Sequence, residues 1–135
     1  MKKQLLVYTA VLFLLSSFMF SSCKKDPQEE DKGKMNTSIV PLAGETVDVN
    51  GLKIQLHKNA TYTDLYMEII STGTSTSASA EFLNIEEGTY FLVAWKDNDG
   101  NADFSTGDYF GFYPSAINVT AGDDLNFTIE VYVVE

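Results

Sequence analysis

The stretch from Asp97 to Asp108 holds most of the chemistry that can be read in this chain. Asp97, Asp99, Asn101, Asp103, Ser105 and Asp108 stand at positions 1, 3, 5, 7, 9 and 12 of it, and each offers a side-chain oxygen. A hard cation such as Ca2+ takes roughly six to eight oxygens, and a tightly wound loop can turn alternate side chains toward one centre. Carboxylates brought that close repel one another unless a cation neutralises them. Asp97, Asp99, Asn101, Asp103 and Asp108 are therefore the metal-ligand candidates, with a structural Ca2+ as the implied cofactor. Position 6, where a calcium loop uses glycine for its sharp turn, is Ala102, and position 12 is the shorter Asp108 rather than Glu. The competing reading is a solvated turn that uses Asp, Asn and Gly only for their backbone conformations. Sequence alone leaves both open.

Little else could catalyse. His57 is the only histidine and falls on the polar side of the alternating segment Leu52 to His57, so a zinc site or a base-assisted nucleophile would lack a second imidazole or a free thiol. Glu86 and Glu87 are neighbours in a turn and point apart, whereas paired acid and base carboxylates must face each other across a bond. No enzyme is expected. In the aromatic run Tyr109, Phe110, Phe112 and Tyr113, strand alternation puts the two tyrosines on the side of Gly111 and the two phenylalanines on the other. Most of the run reads as core. Tyrosines left exposed would present flat ring faces to a sugar, which makes Tyr109 and Tyr113 the ligand-binding candidates.

The elements that must carry these residues begin after an export signal. Lys2 and Lys3 precede an apolar run from Leu5 to Phe20, followed by Ser21, Ser22 and Cys23. That order is the charged, apolar and small-residue sequence of a secretory signal, and the run is short for a membrane-spanning helix. Phe20-Ser21-Ser22-Cys23 resembles the lipobox of bacterial lipoproteins, with Phe20 where that family has an aliphatic residue. The resemblance implies that Cys23 is acylated and begins the mature chain. Each buried methylene of its acyl chains would contribute about 0.8 kcal/mol to membrane anchoring. The charged, apolar-poor stretch behind it, Lys24 to Lys34, reads as a tether. It resembles the acidic export signals of Bacteroidetes lipoproteins, although Lys24 and Lys25 intervene. The expected location is the outer membrane, on its periplasmic or cell-surface side. The expected division is a signal over 1–22, a lipidated Cys23 and tether over 23–36, and a folded domain over 37–135.

The charge of that domain excludes one class of partner. The chain has nineteen Asp and Glu against nine Lys and no Arg, and from Met35 onward only Lys53, Lys58 and Lys96 oppose fifteen acids. Such a surface repels phosphate backbones and has no guanidinium to grip one, so nucleic acid is not expected.

No stretch of the domain keeps a helical period. Val47 and Val49 lead into Asn50-Gly51, a type I′ hairpin signal, and Leu52, Ile54 and Leu56 then alternate with Lys53, Gln55 and His57. Leu65, Met67 and Ile69 make another strand, followed by the polar loop Ser71 to Ser77. Tyr90 to Trp95 is apolar on both faces, as in a central strand covered on both sides. Ile117 with Val119, then Leu125 to Val133 with apolar residues at every second position, complete about seven strands. The expected fold is all-β, a seven-stranded antiparallel sandwich.

Phe82-Leu83-Asn84-Ile85-Glu86-Glu87-Gly88-Thr89-Tyr90-Phe91-Leu92-Val93-Ala94 resembles a segment of carboxypeptidase regulatory-like and transthyretin-like domains, in which an apolar strand, a turn ending in Gly and a Tyr-led strand follow one another. Ile117 to Gly122 resembles the turn before their last strand. This implies a prealbumin-like, Ig-like sandwich that binds, spaces or stabilises rather than catalyses. The acidic stretch resembles the calcium loops of dockerins, which also close with Asp. Together these imply a lipid-anchored, non-enzymatic envelope module with an envelope protein as partner. The alternative is a carbohydrate-binding accessory lipoprotein with a glycan as ligand.

Overall fold

The computed structural model describes residues 31–135; the signal segment, Cys23 and the tether up to residue 30 lie outside the described residues. The described part is all-β, with β1 (Gly33–Pro41), β2 (Lys53–His57), β3 (Leu65–Ile70), β4 (Thr72–Gly73), β5 (Ala78–Ile85), β6 (Gly88–Lys96), β7 (Tyr109–Phe112), β8 (Ile117–Val119) and β9 (Asp124–Val133). No helix occurs among the described residues, so none there is long and apolar enough to cross a membrane.

Instead of seven strands in two separate antiparallel layers, nine strands join in one mixed arrangement ordered β3-β2-β6-β7-β9-β1-β5-β4, with β8 pairing the start of β6. All pairings are antiparallel except that of β1 with β9. The strands at the two ends of this order, β3 and β4, are separated in the chain by Ser71 alone. A sheet whose first and last strands are joined by one residue must curl until its ends meet, and the result is nearly a barrel.

The interior follows from alternation. Met35, Thr37 and Ile39 of β1, Ile54 and Leu56 of β2, Tyr90, Leu92 and Ala94 of β6, and Ile129 and Val131 of β9 are all buried on the inner side. Gly111 lets β7 pack tightly on β9: a Cβ there would collide with the Glu130 carbonyl oxygen and lie 2.8 Å from Ile129 Cγ2. Among the described residues the buried apolar core runs from Met35 to Val131. The outer side of β6 is covered too. Val93 is buried at 2% exposure although it faces away from that core, which is why the strand reads as apolar on both faces.

Three expectations are corrected. The first strand begins at Gly33, not beyond residue 36, because Met35 is fully buried between Phe82 and Leu125 while its polar neighbours Lys34 and Asn36 are only partly covered. Asn50-Gly51 does not close a hairpin: Gly51 has φ +78° but Asn50 does not share the left-handed conformation that a type I′ turn needs at both positions. The backbone there bonds the polar loop instead, with Val49 N donating to Ser75 O at 3.0 Å and Gly51 N to Ser71 O at 3.1 Å. His57 keeps its place on the side of Gln55, yet it is buried, because Tyr62 covers that side edge-on at 5.7 Å.

Candidate metal centre

The β6–β7 ladder positions the acidic loop. Asp97 directly follows β6 and Asp108 directly precedes β7, and the pairing of Lys96 with Tyr109 holds the two ends of the loop side by side. Asp108 is pinned further from β9: Gly107 N donates to Val134 O and Val134 N to Asp108 O, both at 2.8 Å.

Three of the candidate carboxylates converge. Oxygens of Asp97, Asp99 and Asp108 lie within 4.8 Å of one another, with Asp108 wholly buried and Asp99 exposed. Loop N–H groups hold each one. Asp97 Oδ1 accepts from Gly100 N at 2.6 Å and Oδ2 from Ala102 N at 2.7 Å. Asp99 Oδ1 accepts from Asn101 N at 3.0 Å. Asp108 accepts from Asn98 N at 2.9 Å and Ser105 N at 2.8 Å. The N–H of Ala102 first, then those of Gly100 and Asn101 and the Asp99 contact, hold the Asp97 carboxyl below its usual value, outweighing partial desolvation.

Asn101 and Ser105 join the cluster. Asn101 Nδ2 donates to Asp99 Oδ2 at 2.7 Å, and the Ser105 hydroxyl lies 3.4 Å from Asp108 Oδ2. Asp103 is not one of the three converging carboxylates; its backbone N–H bonds Asn101 Oδ1 at 2.7 Å and its side chain is exposed. Ala102, which stands where a glycine was expected, adopts φ +67°, so an L-residue takes the left-handed turn at a conformational cost. The Asn98 N–H as a support for Asp108 had no signal in the spacing.

Among the described residues no lysine is paired with these acids. Among the described residues the only ion pair is Lys34–Glu81, while Lys53, Lys58 and Lys96 lie over the rings of Trp95, Tyr66 and Tyr109 at 4.8, 4.8 and 6.0 Å. The donor set, three carboxylates with an amide and a hydroxyl, suits a hard cation rather than a soft one.

Tyr109 and Tyr113 are half-buried and pack against the core, Tyr113 edge-on to Phe127 at 4.7 Å. Glu87 accepts from Ala121 N at 3.0 Å, and the Glu86 backbone is held by the hydroxyls of Tyr66 and Tyr90. Burial and the neighbouring Tyr66 push the Tyr90 hydroxyl up to about 12, so it stays a neutral donor.

Comparison with known proteins identifies no matching family model, no matching curated protein and no matching solved structure.

Proposed function

We propose that this chain is a lipid-anchored, non-enzymatic module of the cell envelope whose acidic loop takes a structural Ca2+ and whose loop-bearing end binds or supports an envelope partner. One observation carries the reading: Asp97, Asp99 and Asp108 place oxygens within 4.8 Å of one another, and among the described residues no lysine pairs with them. Asp97, Asp99 and Asp108 would hold the ion together with Asn101 and Ser105, and the cation would add to the backbone N–H groups that already stabilise the charged carboxylates. Acylated Cys23 anchors the chain at the outer membrane, on its periplasmic or cell-surface side.

The placement of the loop supports this division of labour. β9 starts at Asp124 beside Lys34, where the tether joins, and ends at Val133 beside Tyr109, where the loop closes. Ten residues of strand span about 33 Å. The loop therefore points away from the end at which the chain would be anchored. The resemblance to regulatory-like sandwiches is supported by β6, which pairs β8 at its start and β2 and β7 further along, as a strand shared between two layers would.

The test is a thermal melt of residues 24–135 with Ca2+ and with chelator, repeated on Asp97→Ala and Asp99→Ala. A rise in Tm with Ca2+ that both substitutions abolish is the expected result. No shift at millimolar Ca2+ would reduce the loop to an acidic turn.

A further inference from the structure

The outer face of β7 and β9 carries an aromatic notch beside the acidic loop. Phe104, from the loop itself, stands edge-on to Phe110 at 5.2 Å and 75°, and Phe110 stands edge-on to Tyr132 at 6.1 Å and 83°. Phe104 is 58% exposed and Phe112, next along the strand, 44%. Val134 and Tyr62 complete an open groove of about 520 Å3 with Glu135 on its edge. A second apolar groove continues from it across Tyr132 and Phe112 and is edged by Glu130. Among the described residues no lysine lines either groove.

Exposed Phe104 and exposed Phe112 each contact the half-buried ring of Phe110, at 5.2 and 6.0 Å, so the three rings form one contiguous apolar surface rather than scattered hydrophobes, and such a patch marks a binding surface. Rings set near right angles make a concave notch for a side chain, not a flat platform for a sugar. The occupant is constrained by charge. A second copy of the domain would bring its own Glu130 and Glu135 to the contact, on a body with eleven acidic charges in excess from Gly33 onward. The tether has no apolar side chain to offer and joins the fold at the opposite end.

We infer that the notch of Phe104, Phe110 and Tyr132 docks a basic segment of a partner protein, with an apolar side chain seated among the rings and its lysines or arginines facing Glu130 and Glu135. This rests on the reading of the domain as a partner-binding module and names the chemistry of that partner. Aromatic anchors would supply the holding contacts, and the acidic edges would raise the rate of encounter.

Fluorescence anisotropy tests it with three labelled peptides: one alternating lysine with leucine and phenylalanine, one with glutamate in place of lysine, and one with serine in place of the apolar residues. Residues 24–135 should bind the first at least tenfold more tightly than either of the others. Phe104→Ser, which removes an exposed ring and should leave the melt unchanged, should weaken that binding about tenfold, and Glu135→Gln should flatten its salt dependence. Equal binding of the first and third peptides, or full binding by Phe104→Ser, would overturn the proposal. So would sedimentation showing a dimer that Phe104→Ser dissociates. The Ca2+ melt does not read this surface, so the two proposals can fail separately.

Discussion

Ser71 and Leu52 hold each other by two hydrogen bonds: Ser71 N donates to Leu52 O at 2.8 Å, and Ser71 Oγ accepts from Leu52 N at 2.9 Å. The same hydroxyl donates to Val49 O at 2.8 Å, and the site is buried at 1% exposure. Because Ser71 is also the one residue between the two end strands, β3 and β4, these bonds act where the sheet closes. Ser71→Ala leaves a buried N–H and a buried carbonyl without this partner, at a cost of about 1–3 kcal/mol. The expected result is a Tm several degrees lower with the fold retained. An unchanged Tm would mean that the closure does not depend on this hydroxyl.

Gly111 tests the packing of β7 against β9. Its inner side is filled by the Glu130 carbonyl oxygen and the Ile129 and Val131 side chains. Gly111→Ala should destabilise by about 1–3 kcal/mol, because backbone rather than a flexible side-chain tip must yield. Strand propensity alone favours Ala over Gly, so the sign of the change separates the two effects. Denaturant unfolding with an unchanged slope and a lower midpoint is the expected outcome.

His57 should make stability depend on pH near neutrality. Burial lowers its pKa from 6.5, Asp64 opposes this only in part, and Nδ1 has no hydrogen-bond partner. As pH falls through 6.5 the unfolded chain takes up a proton that the folded chain refuses, so stability drops between 6.5 and the lower folded value. Above 6.5 the contribution is flat. Comparing Tm at pH 7.5 and 5.5, the natural chain should lose more than His57→Gln does. Equal losses would show that the imidazole is free to charge in the fold.

Much of this was legible in the sequence, and the gaps have physical causes. The alternation of Leu125 to Val133 gives β9 directly, and the two-sided apolar run from Tyr90 gives β6. The early start of β1 was hidden because Lys34 and Asn36, its half-covered residues, resemble the charged tether around them. Closure was not readable, since strand order depends on which edges meet rather than on periodicity. His57 was placed on the correct side of β2, but no pattern reports that Tyr62 folds over that side. The spacing of Asp97, Asp99 and Asp108 did locate the acidic cluster. Phe104 lies outside any strand period, and a phenylalanine inside a run of Asp, Asn and Gly is itself a signal of exposure.

Asp103 and Ala102 separate the two readings of the loop. If the six spaced oxygens acted alike, Asp103→Ala would weaken a Ca2+ response as much as Asp99→Ala. In calcium loops, however, position 7 contributes its backbone carbonyl, and here the Asp103 side chain is exposed and outside the three-carboxylate group. Asp103→Ala should therefore keep the Ca2+-induced rise in Tm that Asp99→Ala loses. Ala102→Gly should relieve the left-handed turn at φ +67° and stabilise the loop by about 1 kcal/mol, less the extra entropy of the unfolded glycine. A turn without an ion would show the same gain with and without Ca2+. An ion loop would gain more with Ca2+ present, because a relaxed turn lets Asp97 and Asp99 approach the cation without strain. Isothermal titration of Ca2+ into Ala102→Gly and the natural chain measures that difference; no heat of binding in either chain would argue against the cation reading, and equal affinities would show that the turn at Ala102 does not limit it.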